Sequence, residues 1–513
     1  MDGSQRNEHY SALSTQDWLS AAPREKPAVI AGETRWTWGD LEREATRLAG
    51  GLRERGVVPG DRVAALLGNN VGFVALVHAC IRLEAVLVPL NTRLIPAEIA
   101  WQLNDSGARL LIAECGVRSV DYPGCETVDI GELMEGSRAT EQPAGTPTQS
   151  ALRTPHSAID LGRVQAVIYT SGTTGQPKGA MLTYGNQWWS AVGSALNLGT
   201  MASDRWLACL PMFHVGGLAI LMRSVIYGVP VIVHERFDAA AVNRAIDEDG
   251  VTVLSVVSTM LTRMLDERGG VPYPPTLRAV LLGGGPAPRP LLEAAAAAGV
   301  PVVQTYGLTE TASQVATLSP ADALRKLGSA GKPLLPTRLR IAGPNGDMPP
   351  GEVGEILVQG PIVTPGYLGR PEATARALRG GWLHTGDLGY LDAEGYLYVV
   401  DRHNDLIISG GENVYPAEVE AALLAHPGVA EAGVVGVPDA RWGQVPVAFV
   451  LSRPGAAPTE DELIAFCKTR LAGYKVPAGI TFVSRLPRNA SGKLMRWALR
   501  PGSRPDPGEE TRP

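Results

Sequence analysis

The segment Tyr169–Gly179, YTSGTTGQPKG, decides how the rest of the chain is interpreted. It follows the apolar run AVI and contains three glycines, four hydroxyl side chains besides that of the tyrosine, and one lysine. Backbone N–H groups of a glycine-rich loop, together with hydroxyls and an ammonium group, can surround a polyphosphate. The Walker A pattern G-x-x-x-x-G-K-[ST] is not met, because Gln176 and Pro177 precede Lys178 and Gly179 follows it. The sequence therefore predicts a phosphate-binding loop outside the P-loop NTPases.

Short apolar runs alternate with helical patterns on both sides of this loop. Strands are predicted at DRVAALL, AVLVPLN, RLLIAE, RWLACLP, VPVIVHE, VTVLSVV, LRAVLLGGG and VPVVQTYG. Between the first two, VGFVALVHACIRLEA has the apolar spacing of a helix. Such alternation is typical of βαβ units with largely parallel sheets. We therefore predict an α/β fold with a large N-terminal domain of parallel βαβ subdomains.

The pattern changes toward the C-terminus. From about residue 330 to 400, short runs with glycine-rich turns, such as GEVGEILVQG and EGYLYVVDR, predict an antiparallel, barrel-like subdomain. Residues 1–401 are assigned to the large domain, 402–405 to a hinge and 406–500 to a small α+β domain. Residues 501–513 are interpreted as a disordered tail, and the Pro- and Thr-rich residues 137–160 as an exposed linker.

Composition excludes several functional classes. The 513 residues carry a net charge of −6, so no basic excess indicates nucleic acid as a partner. The polar N-terminal residues lack the apolar core of a secretory signal, and the apolar region 206–234 is interrupted by Pro211, His214, Arg223 and Pro230. The five cysteines form no CxxC pair and the eight histidines show no ligand spacing. We expect a cytoplasmic protein with reduced thiols, without a structural zinc site or a membrane span.

Several motifs resemble those of the adenylate-forming superfamily, which includes acyl-CoA synthetases, nonribosomal adenylation domains and firefly-type luciferases. After the phosphate-binding loop come QTYGLTET, GWLHTGDLGY, VVDRHNDLIISGGENVYPAEVE and LPRNASGKLMR, in the order of that family. The resemblance extends over nearly the whole chain. It implies that ATP, bound as a magnesium complex, activates a carboxylate as an acyl-adenylate and that pyrophosphate is released.

The same resemblance implies roles for individual residues of these motifs. Tyr306 would pack on the adenine, Thr309 would contact phosphate and Glu310 would help to hold Mg²⁺, which suits a cation that takes one or two carboxylates plus phosphate oxygens. Asp387 would accept the ribose hydroxyls, joined by Arg402. The implied ATP/AMP site comprises Thr170, Ser171, Gly172, Thr173, Thr174, Gly175, Lys178, Gly284, Gln304, Tyr306, Gly307, Asp387 and Arg402.

A catalytic lysine and a hinge are implied in the C-terminal motifs. Lys493 would bridge the substrate carboxylate and the α-phosphate, where a fixed ammonium stabilises the developing negative charge. Asp401 stands where the family usually has glycine, and Asn404 stands at the hinge position, which usually carries Asp or Lys. Because Lys493 lies in the small domain, that domain would rotate after adenylation and present its SGGENVYP face for thioester formation.

The acyl pocket is indicated by LPMFHVGGLAILMRSVIYG. His214 would border the carboxylate channel, and Gly283, Gly285 and Ser313 would line the pocket floor. Arg223 lies in an apolar run, where an unpaired charge would cost several kcal/mol. It would therefore meet either a structural Asp or Glu or an anionic group of the substrate.

More specific stretches, among them LLGGGPAPRPLLEAA, TYGLTETASQVATLSP and KLGSAGKPL, resemble the o-succinylbenzoate–CoA ligase family of menaquinone biosynthesis. The substrate of that family is a dicarboxylate, whose succinyl carboxylate would be activated while its benzoate carboxylate faces Arg223. Coenzyme A is the implied acceptor, and a homo-oligomer is possible. The candidate CoA contacts are Gly410, Gly411, Arg441, Trp442 and Lys475.

Three alternatives stay open at this point. An aryl- or fatty-acyl-CoA ligase would differ only in the pocket, although a basic residue at position 223 would be pointless for an uncharged chain. An amino-acid adenylation enzyme needs an acidic residue for the α-amine, but Asp238 is predicted to be a helix N-cap before AAAVNRAIDED. A binding protein with degenerate motifs is disfavoured because Lys178, Glu310 and Lys493 are all retained.

The implied role of Lys493 gives a first prediction. Lys493→Ala should strongly reduce acyl-adenylate formation, measured by pyrophosphate release, because the α-phosphate loses its fixed cation. The variant should still form thioester from preformed acyl-adenylate and CoA. Equal loss of both half-reactions would show that the lysine does not act specifically in adenylation.

Overall fold

The computed structural model describes residues 14–15, 17–114, 124–136, 158–171, 177–284, 287, 289–343, 346–402, 407–414, 416–487 and 496–500. The chain divides into two compact units. The first comprises Met1–Thr92, Ala100–Tyr169 and Gly179–Val400, and the second comprises Arg93–Ile99, Thr170–Lys178 and Asp401–Pro513.

The described residues form a regular series of helices. They are α1 (Trp18–Ala21), α2 (Trp38–Glu54), α3 (Val71–Leu83), α4 (Pro96–Ser106), α5 (Ile130–Gly136), α6 (Tyr184–Leu198), α7 (Val215–Tyr227), α8 (Ala239–Asp247), α9 (Ser258–Arg268), α10 (Arg289–Ala297), α11 (Pro371–Ala377), α12 (Pro416–Leu424) and α13 (Glu460–Lys468). Short 3₁₀ turns occur at Thr309–Thr311, Pro320–Asp322, Gly473–Lys475 and Arg496–Leu499.

The strands of the N-terminal half are β1 (Ser14–Thr15), β2 (Pro27–Ala31), β3 (Thr34–Thr37), β4 (Arg62–Leu66), β5 (Val86–Pro89), β6 (Leu110–Ala113), β7 (Glu126–Asp129), β8 (Ile159–Asp160), β9 (Val164–Ser171), β10 (Pro177–Thr183), β11 (Trp206–Ala208), β12 (Val231–Val233), β13 (Val253–Val257) and β14 (Ala279–Gly283). They are followed by β15 (Val302–Leu308), β16 (Ser313–Leu318), β17 (Ser329–Pro333), β18 (Arg338–Gly343), β19 (Gly346–Asp347), β20 (Gly354–Gln359), β21 (Leu378–Arg379), β22 (Trp382–Leu391) and β23 (Leu397–Arg402). The remaining strands are β24 (Ile407–Ser409), β25 (Glu412–Val414), β26 (Val429–Asp439), β27 (Gly443–Ser452) and β28 (Gly479–Phe482).

The strands of the large unit belong mainly to two sheets. One has the order β10-β9-β5-β4-β6-β7, and its pairs from β9 to β7 are parallel. The other follows the path β19-β18-β20-β22-β23-β17-β16-β15-β14-β13-β11-β12-β2-β3. It is parallel from β15 to β2. The pairs β15–β16, β16–β17, β17–β23, β20–β22 and β18–β20 are antiparallel. The predicted α/β class is thus confirmed, and the antiparallel strands continue the parallel sheet through β16 and β17.

Local sequence explains where the helices begin. Thr37 and Asp40 form a reciprocal capping box before α2, and Asn70 accepts a hydrogen bond from the N–H of Phe73 at the start of α3. Asp238 caps α8 by accepting from the N–H of Ala241 at 2.8 Å, as predicted from AAAVNRAIDED. Helix α3 is buried over almost its whole length, which explains its apolar sequence.

The expected linker needs correction at its C-terminal end. Residues 137–160 were expected to be an exposed linker, and most of them lie outside the described residues. Ile159 and Asp160, however, form β8, which pairs with β1, and the side chain of Ile159 is fully buried. An isolated isoleucine in a polar stretch gives no local signal of burial. The predicted linker therefore wrongly included Ile159 and Asp160. The apolar region 206–234 folds as β11, α7 and β12, and no helix among the described residues is long and apolar enough to cross a membrane.

The second unit has its own hydrophobic core. Its sheet has the order β25-β24-β27-β26, and β28 pairs in parallel with β27. Helices α12 and α13 cover this sheet with Val419, Leu423 and Leu463, all fully buried. An α+β arrangement results, as the sequence predicted for this part of the chain.

A buried histidine makes the large unit sensitive to acid. His78 of α3 is 3% exposed and lines a small enclosed cavity together with Asp17 and Arg82. Burial lowers the pKa of His78 to about 4, because the charged imidazolium loses its hydration and Arg82 repels it, although the charge of Asp17 acts in the opposite direction. The imidazole is therefore neutral in the folded protein at neutral pH.

This histidine predicts a specific pH dependence of stability. Between pH 6.5 and 4 the unfolded chain binds a proton at His78 that the folded chain excludes, so stability falls as the pH falls. At pH 5 the loss should be about 2 kcal/mol relative to pH 7. His78→Gln should remove that part of the pH dependence when unfolding by urea is compared at the two pH values. An unchanged difference would show that other groups cause the acid sensitivity.

Candidate active site

The turn between β15 and β16 carries the QTYGLTET motif. Gly307 is required there, since a Cβ at this position would lie 1.6 Å from the carbonyl oxygen of Ser313. The strands are antiparallel, with an irregularity between Tyr306 and Gly307. Thr311 closes the turn, because its hydroxyl donates to the carbonyl of Leu308 and accepts from the N–H of Leu308, each at 3.0 Å. Glu310 is thereby presented from a short, closed 3₁₀ turn.

The residues after this turn adopt unusual backbone conformations. Ala312 has φ 49° and Ser313 has φ 101°, in the region that residues with a Cβ rarely adopt. The hydroxyl of Ser190, from α6, donates to the carbonyl of Ala312 at 2.7 Å. A buried hydrogen bond thus supports a strained connection, which is typical of functional sites.

Two residues predicted to bind the nucleotide are neighbours in the structure. The hydroxyl of Tyr306 donates to Oδ2 of Asp387 at 2.6 Å, and Asp387 is 2% exposed. The N–H of Asp387 donates to the hydroxyl of Thr385 at 3.0 Å, and that hydroxyl donates to the carbonyl of Ile356. The motif GWLHTGDLGY, on β22, and the motif QTYGLTET, which begins on β15, are therefore in contact through these two side chains. Gln304, also on β15, is buried, and its Nε2 has no hydrogen-bond partner among the described residues.

The residue predicted to bind magnesium has a specific hydrogen-bond donor. The hydroxyl of Tyr367 donates to Oε1 of Glu310 at 2.9 Å. The N–H of Thr364 donates to the backbone carbonyl of Glu310 at 2.8 Å. Mg²⁺ is usually bound by one or two carboxylates together with phosphate oxygens of the substrate. The carboxylate of Glu310 therefore fits this cation. Thr309 begins the same turn and is half-buried.

The phosphate-binding loop is only partly described. Strand β9 ends at Ser171 and β10 begins at Pro177, and the two strands are neighbours in the sheet, so they bring the ends of the loop together. Thr170 and Lys178 are both half-buried at these ends. Gly172, Thr173, Thr174 and Gly175 lie outside the described residues, as does the side chain of Ser171.

Helix α7 and its N-cap carry two of the residues predicted for the acyl pocket. His214 occupies its N-cap position, half-buried, with its ring 4.6 Å from that of Phe213. Gly217 allows a close approach, because a Cβ there would lie 2.2 Å from the carbonyl oxygen of Pro211. Arg223 lies more than two turns from His214 and is 3% exposed.

The guanidinium of Arg223 has neutral surroundings. Its Nη2 lies 3.3 Å from the hydroxyl of Ser190, and its Cζ lies 5.6 Å from the ring centroid of Trp206. Its Nε is buried without a hydrogen-bond partner in the described part of the chain. Burial lowers the pKa of Arg223 below its usual value, opposed by nearby Tyr227. Among the described residues no carboxylate forms an ion pair with it, so the structural-carboxylate alternative finds no partner there.

The predicted glycine-rich pocket floor follows β14. A Cβ on Gly283 would lie 3.2 Å from Cγ2 of Thr305, and one on Gly284, at φ +82°, would lie 3.1 Å from Cγ1 of Val257. Both positions therefore have little room for a side chain. Gly285 lies outside the described residues. Ser313 is half-buried at the start of β16.

The predicted CoA contacts differ in their surroundings within the second unit. Trp442 is 44% exposed, and the guanidinium of Arg441 lies 4.7 Å from its ring centroid. Gly410, at φ +59°, packs under this ring, because a Cβ would lie 2.8 Å from it, and Gly411 follows at φ +85°. These residues form an exposed surface with an aromatic ring and a cation.

Lys475, in contrast, is 5% exposed. Its Nζ donates to Glu418 at 2.7 Å and to Glu98 at 2.9 Å, all within the second unit. Burial opposes its charge, but the carboxylate of Glu418 raises the pKa of Lys475 above its usual value. This arrangement favours a structural role over a contact with coenzyme A. The residues around Lys475 carry no local signal of this role, because both carboxylates are distant along the chain.

The hinge and the catalytic lysine are not tested by the described residues. Arg402 ends β23, but its side chain is not described, and Asn404 and Lys493 lie outside the described residues. The structure instead adds residues that sequence reasoning missed. Ser190, Trp206 and Tyr367 contact predicted site residues across long sequence separations. None of the three has a local signal that distinguishes it from an ordinary core residue.

Comparisons with known proteins agree with these motifs. Residues 16–368 match the family model of the AMP-binding enzymes, and residues 418–493 match that of the AMP-binding enzyme C-terminal domain. A 2-succinylbenzoate–CoA ligase of Geobacillus kaustophilus is 53% identical over 93% of this chain and 95% of its own length. One of Bacillus cereus is 48% identical over the same shares of both chains.

Solved structures are also similar. A double mutant of o-succinylbenzoate CoA synthetase (MenE) from Bacillus subtilis, bound with its product analogue OSB-NCoA, has a TM-score of 0.88 and 44% identity, covering 96% of this chain and 99% of its own. The same enzyme in complex with the acyl-adenylate intermediate OSB-AMP has a TM-score of 0.72, with the same identity and coverage. Its complex with ATP and magnesium has a TM-score of 0.72 at 44% identity, covering 94% of this chain and 99% of its own. This chain belongs to the family of AMP-binding, adenylate-forming enzymes.

Proposed function

We propose that this enzyme is an ATP-dependent, AMP-forming acid–thiol ligase for o-succinylbenzoate. It converts o-succinylbenzoate, ATP and coenzyme A to o-succinylbenzoyl-CoA, AMP and pyrophosphate, a reaction that we assign to menaquinone biosynthesis. The relatives named as 2-succinylbenzoate–CoA ligases, similar over 93% of this chain, support the reaction. The observation that carries the choice of acid is the buried guanidinium of Arg223.

The reaction proceeds in two displacements. In the first, an oxygen of the succinyl carboxylate attacks the α-phosphorus of ATP, and the bond to pyrophosphate breaks. In the second, the thiol of coenzyme A attacks the acyl carbon, AMP leaves and the thiol proton is released. Neither step needs a protein nucleophile, so positioning and charge stabilisation supply the catalysis.

Individual residues would supply distinct parts of this chemistry. Glu310 would hold Mg²⁺, which neutralises charge on the phosphates when it is bound. Tyr306 and Asp387, joined at 2.6 Å, would bind the adenine and the ribose. Lys493 would stabilise charge at the α-phosphate, and His214 would border the path of the reacting carboxylate.

The surroundings of Arg223 argue for a second carboxylate in the substrate. A buried guanidinium without a counter-charge is unfavourable by several kcal/mol. Ser190 and Trp206 provide only a hydroxyl and an aromatic face to this cation. The benzoate carboxylate of o-succinylbenzoate would neutralise it, and the planar fork of an arginine suits a carboxylate.

A further polar side chain lies on a neighbouring element. Gln314 of β16 is 4% exposed, and neither end of its amide has a hydrogen-bond partner among the described residues. Helices α6 and α7, which carry Ser190 and Arg223, both pack against β16. Buried polar groups without partners cost about 1–3 kcal/mol each, so several of them around one region indicate a polar ligand.

The rival acids fit this region less well. A fatty acid or 4-coumarate would leave Arg223 without a counter-charge after binding. An amino acid would bring an ammonium group, which requires an acidic partner and would be repelled by this guanidinium. Asp238, the acidic residue weighed for that role, is an N-cap of α8.

For coenzyme A, the exposed surface around Trp442 is the best candidate in the second unit. The indole and the guanidinium of Arg441 could bind the adenine and a phosphate of the nucleotide end. Gly410 leaves room for the ring and fixes its position.

The acyl specificity is tested by pyrophosphate release with ATP, Mg²⁺ and CoA. The acids are o-succinylbenzoate, 4-oxo-4-phenylbutanoate, which lacks only the aryl carboxylate, 4-coumarate, octanoate and amino acids. We expect a preference of about 100-fold or more for o-succinylbenzoate over 4-oxo-4-phenylbutanoate, the scale of a buried charged pair. Equal rates with these two acids would overturn the assigned role of the second carboxylate.

Substitution of Arg223 tests the residue itself. Arg223→Met should raise the KM for o-succinylbenzoate by about 10- to 100-fold, because a charge-assisted contact is lost, and should leave the KM for ATP nearly unchanged. The preference over 4-oxo-4-phenylbutanoate should shrink by the same factor. Arg263→Met is the matched control, since Arg263 is exposed and lies 5.2 Å from the ring centroid of Phe237. A preference that survives in Arg223→Met would mean that this arginine is structural.

A further inference from the structure

We propose that Tyr367 is a positioning residue for Glu310 and sets the affinity of the site for Mg²⁺. This inference rests on the proposed use of Mg²⁺-ATP and adds a residue that the sequence motifs do not assign. Tyr367 lies between β20 and α11, in the segment Thr364–Arg370, TPGYLGR.

This segment holds Glu310 at two points. The hydroxyl of Tyr367 donates to Oε1 at 2.9 Å, and the N–H of Thr364 donates to the backbone carbonyl at 2.8 Å. Among the described residues, no cationic side chain forms an ion pair with this carboxylate. A neutral donor on one oxygen orients the side chain and leaves Oε2 for a cation.

The same segment is bound to the second strand of the phosphate-binding loop. The N–H of Leu368 donates to the carbonyl of Gly179 at 2.8 Å, and the N–H of Met181 donates to the carbonyl of Gly366 at 3.0 Å. The hydroxyl of Thr364 donates to the carbonyl of Met181. Residues that follow Lys178 along β10 are therefore fixed relative to the backbone that carries Tyr367.

The strand that precedes the loop, β9, is connected to the same segment through two successive side-chain contacts. Arg370 pairs with Asp105, and the hydroxyl of Tyr169, at the start of the loop, donates to Oδ2 of Asp105 at 2.9 Å. Burial and the charge of Asp105 raise the pKa of Tyr169, so this hydroxyl stays protonated as a donor. The segment Thr364–Arg370 thus holds both strands that lead to the phosphate-binding loop.

The backbone at Gly366 is restricted by its conformation and by a close neighbour. Gly366 has φ +143°, and a Cβ there would lie 2.4 Å from Cγ2 of Thr374. The N–H of Tyr367 donates to the hydroxyl of Thr374 at 2.9 Å. The phenol is therefore aimed at Glu310 from a backbone that is itself fixed.

These contacts have a chemical consequence for the metal. A glutamate side chain loses rotamer freedom when it binds a cation, at a cost that prior positioning reduces. Mg²⁺ demands near-ideal octahedral geometry, so the orientation of its carboxylate affects affinity strongly. Partners that orient a metal-binding carboxylate commonly change metal affinity by about 10- to 100-fold when removed.

Equilibrium binding tests the inference without an acyl substrate. The affinity of α,β-methylene-ATP, which the enzyme cannot cleave, is measured by calorimetry as Mg²⁺ is titrated. Tyr367→Phe should raise the Mg²⁺ concentration for half-maximal tightening by about tenfold and leave the affinity of the metal-free analogue unchanged. Tyr273→Phe is the matched control, because it removes a buried hydroxyl that donates to Oδ1 of Asn243 at 2.8 Å and not to Glu310.

A double-mutant cycle separates positioning from general loosening. In a Glu310→Gln background, Tyr367→Phe should change the Mg²⁺ dependence by less than about twofold, since the carboxylate that it positions is gone. The midpoint of urea unfolding should be similar for Tyr367→Phe and Tyr273→Phe.

The other outcomes are decisive as well. An unchanged Mg²⁺ dependence in Tyr367→Phe, or an equal loss of affinity with and without Mg²⁺, would overturn the positioning role while leaving the proposed function intact. If the wild-type protein does not bind the analogue with Mg²⁺, both the proposed function and this inference are wrong.

Discussion

The close approach of β15 and β16 is the constraint on which the rest of the site depends. Gly307 lies against the carbonyl of Ser313, where no side chain fits, and the chain between them must close within one 3₁₀ turn. This closure projects Glu310 from the turn and leaves Ala312 and Ser313 at positive φ. The strain of these two residues costs on the order of 1–3 kcal/mol each and is balanced by the surrounding hydrogen bonds.

The turn connects two kinds of recognition. On its nucleotide side, Tyr306 is held by Asp387 and Glu310 by Tyr367. On its acyl side, the carbonyl of Ala312 binds Ser190, whose hydroxyl also meets the guanidinium of Arg223. If the proposed roles hold, this single short segment would relate the position of the nucleotide and its metal to the position of the distal charge of the acid. The acid would then be selected at one end and activated at the other, and a fixed distance between these ends would give specificity for the length of the substrate.

Much of the fold could be predicted because its signals are local. Alternating apolar runs identified the strands from Arg62–Leu66 to Val302–Leu308, and Asp238 was identified as an N-cap from its position before an alanine-rich helix. The loop Tyr169–Gly179 was predicted from its glycine, hydroxyl and lysine groups, and the QTYGLTET motif was identified by its resemblance to the adenylate-forming family. Arg223 was predicted to need a negatively charged partner, because an unpaired charge in a buried apolar helix is unfavourable.

What could not be predicted depends on contacts distant in sequence. Tyr367 looks like an ordinary aromatic residue until its hydroxyl is seen on Glu310, and Ser190 looks like a small residue of an amphipathic helix. Lys475 was assigned to coenzyme A because it lies in the small domain, but its burial between Glu418 and Glu98 has no counterpart in the local pattern. The short strand at Ile159 was missed because a two-residue pairing has no periodicity.

The central claim is that the guanidinium of Arg223 binds the second carboxylate of the acid. The most direct test is a crystal structure with a non-hydrolysable analogue of the o-succinylbenzoyl adenylate. We expect the aryl carboxylate either within about 4 Å of the guanidinium in direct contact or bridged to it by one ordered water. An aryl carboxylate that points to solvent or pairs with another cation, with Arg223 still unpaired, would contradict it.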